Sequence, residues 1–154
     1  MLDFAFKTFV ATLAVTAWMT SAKADDSSGL VHVPSAHSVE QTADNLVAAV
    51  EKAGAKVFAR IDHAAGGKSV GMEIPANQVV IFGNPQLGTP VIRDAPEAGL
   101  DLPIRVVVIE TDDGTVLVYH DPKTLAAAHG LPADHPSIGK MTGALKNLTS
   151  AAAK

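Results

Sequence analysis

The chain has 154 residues, 47% of them hydrophobic and 18% charged, with a net charge of -4. That is apolar enough for one cored domain and too short for two of ordinary size, and the acidic balance argues against a nucleic-acid partner. No cysteine is present, which excludes disulfides, thiol chemistry and covalent c-type haem attachment, so a metal or cofactor would rely on His, Met, Tyr or carboxylate ligands.

Residues 1–24 read as a secretory signal. Lys7 precedes an apolar run from Thr8 to Met19, and Ser21-Ala22-Lys23-Ala24 supplies the small-x-small pattern that signal peptidase accepts. The expected mature chain starts at Asp25, carries one more unit of negative charge and loses the sole tryptophan, Trp18. The run is too short for a confident span, so no stable membrane segment is expected after cleavage, an uncleaved anchor being the alternative. Export to the periplasm follows.

In the mature chain, Leu30 to Val33 predicts a short strand stopped by Pro34. Ser38 offers an N-cap, with Gln41 as its capping-box partner. Val39, Ala43, Leu46, Val47 and Val50 then recur at helical spacing and Gly54 supplies a left-handed stop, which predicts an amphipathic helix packed on a sheet. His32 and His37 flank this connection and read as loop histidines rather than a metal pair, because no further ligand stands near them in sequence.

From Lys56 the period changes to alternation. Val57, Ala59 and Ile61 would share the inward face of a strand, and His63 falls in register with them at a core edge or pocket. A hydrogen-bonded structural histidine is the alternative reading. The next stretch, Asp62 to Ser69, is a near miss for a phosphate-binding loop. Gly67, Lys68 and Ser69 match, but Asp62 replaces the first glycine and would repel phosphate, so Gly66-Gly67 reads as a permissive turn.

Gln78 to Phe82 predicts a central strand buried on both faces, closed by Gly83-Asn84-Pro85. Asn84 could orient a ligand or simply fix the turn. Pro90, Pro96, Gly99 and Pro103 limit the following helices to short pieces, centred on Thr89 to Asp94. Ile104 to Glu110 and Val116 to His120 then predict a hairpin with Asp113-Gly114 as its loop, which pairs Val107 with His120 and Val108 with Tyr119. Asp121-Pro122 opens a helix that runs to Gly130. A last helix carries Ile138, Met141, Leu145 and Leu148 as a core or subunit-contact stripe, and Ala151 to Lys154 are expected to fray.

The run Phe58 to Gly66, then Met72-Glu73, Ile81-Phe82-Gly83-Asn84-Pro85, Gly88-Thr89-Pro90 and Gly99 to Pro103 together resemble the family known as domain of unknown function 302. The resemblance covers nearly all of the mature chain. It implies an α+β domain in which an N-terminal strand-helix unit is followed by an antiparallel sheet, with closing helices packed on one face, often as a dimer. It implies no established activity, and it draws attention to the Asp62-His63 pair.

Two function classes survive. The first is an exported, non-catalytic module that binds a small ligand, a metal or haem, or a partner protein at a pocket near His63, and that forms a homodimer. The second is an enzyme using His63 as acid-base group with Asp62, Lys68 or Tyr119 nearby. The first is preferred because no nucleophile, base and orienting group can be traced together. The candidate ligand-binding residues are His63, Asp62, Lys68, Asn84, Tyr119 and His120, with His63 and His120 as the metal pair.

Overall fold

The structure, a computed structural model, describes residues 29–154, so the export segment and its cleavage site lie outside the described residues. Ser38 starts the first helix, α1 (Val39–Lys52), by accepting from the Gln41 backbone N–H at 3.2 Å. The Gln41 side chain donates to Asn45 at 2.9 Å, so the cap is one-sided and no reciprocal box forms. Gly54, at φ 73°, ends the helix as expected. Its N–H bonds Glu51 and that of Ala55 bonds Val50, which satisfies two carbonyls that the helix end would leave open.

Five strands, β1 (Leu30–Ser35), β2 (Lys56–Asp62), β3 (Asn77–Gly83), β4 (Ile104–Thr111) and β5 (Gly114–His120), make one antiparallel sheet in the order β1-β5-β4-β3-β2. The remaining helices are α2 (His63–Ser69), α3 (Pro85–Asp94), α4 (Pro122–Ala128) and α5 (Pro136–Ala152), with a 3-10 turn over Pro96–Leu100. This is the expected α+β arrangement. Helices α1 and α5 pack on one face, where Leu46, Val50, Val80, Val106, Val108, Leu117 and Leu145 form the main core. A smaller core of Val91, Ala98, Ala126, Ile138 and Met141 lies under α3 and α4.

Several local expectations are corrected. Pro34 does not stop β1. It pairs with Val116 inside an edge strand, whose outer side needs no ladder donor. Strand β3 is not buried on both faces: Val80 and Phe82 are buried against helices, whereas Val79 and Ile81 are only half-buried on the opposite face. The hairpin closes over Asp112-Asp113, pairing Thr111 with Gly114, Val107 with Val118 and Val108 with Leu117. The predicted pairing of Val107 with His120 is therefore displaced by two residues. Such a slip leaves every side chain on its own face, so hydrophobic alternation cannot distinguish the two registers.

The C-terminus does not fray. Ala152 and Ala153 are buried, the Ala36 N–H bonds the Ala153 carbonyl at 3.1 Å, and Asn45 donates to Ala152 at 3.3 Å. The stripe of Ile138, Met141, Leu145 and Leu148 is core, as its spacing implies.

Candidate functional site

The decisive local event lies in β2. Val57 pairs with Phe82 and Ala59 with Ile81, so Phe58 is an extra residue, a β-bulge. Beyond it the faces exchange. Ala59 and Ile61 join Ile81 and Val79 on the half-exposed face, and Ile61 is 42% exposed. Arg60 turns toward α1, where it forms an ion pair with Asp44 and bonds Gln78 at 2.7 Å.

The inward register expected for His63 therefore does not form. His63 is exposed at the first position of α2, a helix with no buried residue. Asp62 is its N-cap, accepting from the Ala65 N–H at 2.9 Å. The stretch read as a permissive turn is thus helical. Gly67 has a packing reason to be glycine, since a Cβ there would stand 2.9 Å from the returning backbone oxygen of Met72. Lys68 is exposed in the last turn of the same helix.

The other candidates fall elsewhere. Tyr119 is 7% exposed in the main core, and burial pushes its phenol above the ordinary value, with the Thr149 hydroxyl opposing. His120 is exposed at the end of β5. It lines a cleft of about 360 Å³ together with Asp101, Arg105, Asp121 and Thr124. There Asp101 links the His129 imidazole, at 2.7 Å, to the Arg105 guanidinium, at 3.5 Å. Strands β3 and β4 stand between β2 and β5, so the His63 and His120 metal pair is not brought together. Among the described residues, no three His, Asp or Glu side chains cluster as a metal site.

Asn84 alone of the six lines an apolar cavity of about 310 Å³. Its side chain also caps α3, accepting from the Gln86 N–H at 2.9 Å. The cavity sits where the C-terminal end of β3 meets α3 and α5. Leu87, Ile92, Leu102, Met141, Leu145 and Leu148 line it, with Asn84 and Thr89 as its polar side chains. Phe58, re-aimed by the bulge and 53% exposed, stands at its mouth against Gly83. A Cβ on Gly83 would crowd Pro103 at 3.3 Å and rest in ordinary contact with the Phe58 ring at 3.5 Å, so the tight neighbour of this glycine is Pro103. No histidine lines this cavity, and the Met141 thioether is the one soft donor in its wall, which is a poor set for haem or a metal.

At the start of α5, His135 caps the helix by accepting from the Ser137 N–H at 3.2 Å, and its other ring nitrogen meets Asp94 at 3.3 Å. Arg93 chiefly, and His135 in addition, hold the Asp94 carboxyl below its ordinary value. Sequence reading missed the cavity because its walls come from four separate stretches of the chain. The available clue was Phe58, a large apolar side chain at a position that alternation assigned to solvent.

A family model described as Domain of unknown function DUF302 matches residues 31–152. The chain belongs to the DUF302 family. A crystal structure of an uncharacterized conserved DUF302 protein from Bacillus stearothermophilus shares this fold, with a TM-score of 0.74 at 17% identity, covering 80% of this chain and 98% of that one. Curated relatives include "Fluoride-specific ion channel FluC 1" of Brucella suis biovar 1 (strain 1330), 44% identical over 119 residues, a match covering 75% of this chain and 47% of that protein. Another is "Fluoride-specific ion channel FluC 2" of Brucella melitensis biotype 1, also 44% identical over 119 residues, covering 75% of this chain and 44% of that protein. This DUF302 chain thus spans less than half the length of the curated relatives it matches.

Proposed function

We propose that the mature chain is an exported module that binds a small apolar molecule in the cavity beside Asn84 and Phe58. The observation that carries this reading is the cavity itself: a concave apolar site of about 310 Å³ with polar groups only at Asn84 and Thr89, the usual make-up of a small-molecule pocket. The site candidates at α2 then serve the fold, with Asp62 as a cap. The test is binding of the neutral fluorescent probe N-phenyl-1-naphthylamine to the mature protein. Saturable binding is expected, and Gly88→Leu, which sends a branched side chain into the cavity from α3, should abolish it. Absence of saturable binding, or undiminished binding in Gly88→Leu, would remove the reading.

Self-association belongs to the same proposal, with a revised location. The α5 stripe is used up in the core, whereas Ile61, Val79, Ile81, Val107, Ile109 and Val116 leave the second face of the sheet apolar and half-exposed, a surface suited to a second copy. Light scattering of the mature protein should report a dimer, and Val107→Lys should make it monomeric.

A second reading rests on the curated relatives. None of the described helices is long and apolar enough to cross a membrane. In a protein named as an ion channel, a region like this one would form a part outside the membrane, and this chain would act beside such a channel. Co-purification of the chain with a membrane protein of that class from its own cells is the expected outcome; purification free of membrane proteins would count against it.

A further inference from the structure

The walls of the cavity carry no charge, but a lysine just outside them stands over one of its lining residues. Lys56 precedes the bulge and pairs across the sheet with Gly83, itself a lining residue. Its ammonium stands 5.4 Å from the centroid of the Phe58 ring, the half-exposed side chain at the opening, within cation-π range. The arginines are committed elsewhere: Arg60 to Asp44, Arg93 to Asp94 and Arg105 to Asp101. Among the described residues no lysine is in an ion pair, and Lys56 is the one set over an aromatic ring, that of Phe58.

We infer that the ligand is an anionic amphiphile, a medium-chain carboxylate whose acyl chain fills the cavity while its head group meets Lys56. The inference rests on the cavity reading above and adds the charge and size of the occupant. At about 30 Å³ per small group, 310 Å³ holds on the order of ten methylene-sized units. An apolar body of that size matches the Leu, Ile and Met walls, where a buried carboxylate would find no cation and would be costly to desolvate. The head group must therefore remain at the mouth, where solvent reaches it. The bulge is what makes this possible, because it brings the Phe58 ring to the opening and the ring gives the Lys56 ammonium a platform. The polar side chains of Asn84, which caps α3, and of Thr89 within it supply hydrogen-bonding groups without adding charge.

The experiment is displacement of N-phenyl-1-naphthylamine from the mature protein by decanoate and by decanol, both below their aggregation limits. Wild type, Lys56→Gln and Lys56→Arg are compared, with Gly88→Leu confirming that the probe reports this cavity. Decanoate should displace the probe about three- to fivefold more effectively than decanol, as a partly exposed charge pair allows. That preference should vanish in Lys56→Gln, persist in Lys56→Arg and shrink in 1 M salt, where screening is nearly complete. Lys56 is exposed, so neither variant should melt differently from wild type. Equal displacement by decanol and decanoate in wild type, or an unchanged preference in Lys56→Gln, would overturn the carboxylate assignment while leaving the apolar cavity standing. Failure of the probe itself to bind would overturn both.

Discussion

Removing the Asp62 carboxylate tests whether the Asp62-His63 pair serves a site or a helix end. In Asp62→Ala, α2 loses the acceptor that holds the Ala65 N–H at 2.9 Å, a cap worth about 1 kcal/mol. Helix α2 buries none of its residues, so it can open without disturbing the core. The effect should therefore appear in hydrogen exchange rather than in global melting. The amides of Val70, Gly71 and Met72, which close onto the carbonyls of Gly67 and Lys68, should exchange about fivefold faster, the factor corresponding to that energy. Asp62→Asn keeps a capping oxygen and should exchange within about twofold of wild type. His63→Ala removes an exposed imidazole and inserts a better helix former, so exchange should be unchanged or slower. If His63→Ala accelerated exchange as much as Asp62→Ala, the imidazole would hold a structural contact and the argument from the cap would be wrong.

Leu46→Ala, which empties a wholly buried position between α1 and the sheet, should cost about 3 to 5 kcal/mol in urea denaturation; a loss under 1 kcal/mol would contradict the packing described. Asp94 is held below its ordinary value in the folded state, so its contribution to stability is present above the unfolded value and lost as pH falls through the folded one. Melting of Asp94→Asn should accordingly fall below wild type at neutral pH and converge with it at strongly acidic pH, and a gap independent of pH would refute the assignment. Intact-mass measurement of the exported form should give a chain beginning at Asp25, and retention of Met1 would refute export by cleavage.

Much of the architecture was legible because its cause is local. Ser38 and Gly54 bracket α1 through their own hydrogen bonds and backbone freedom, Asp121-Pro122 opens α4 in the same way, and the spacing of Ile138, Met141, Leu145 and Leu148 defines one buried helical face. Burial periodicity and capping are properties of neighbouring residues, so the chain states them by itself. The strand sites were not legible for the converse reason. A one-residue bulge at Phe58 exchanges the faces of β2, moves Ile61 outward, turns Arg60 toward Asp44 and leaves His63 to begin an exposed helix. Whether a strand bulges depends on its partner: Phe58 shares the cavity wall with Gly83 and Pro103, residues more than twenty positions away. The cavity follows from the same event. Asn84 was visible as a turn residue, but only the packing of β3, α3 and α5 places it beside Phe58, Leu102 and Met141, since a void is what separate segments leave unfilled and no single segment encodes it.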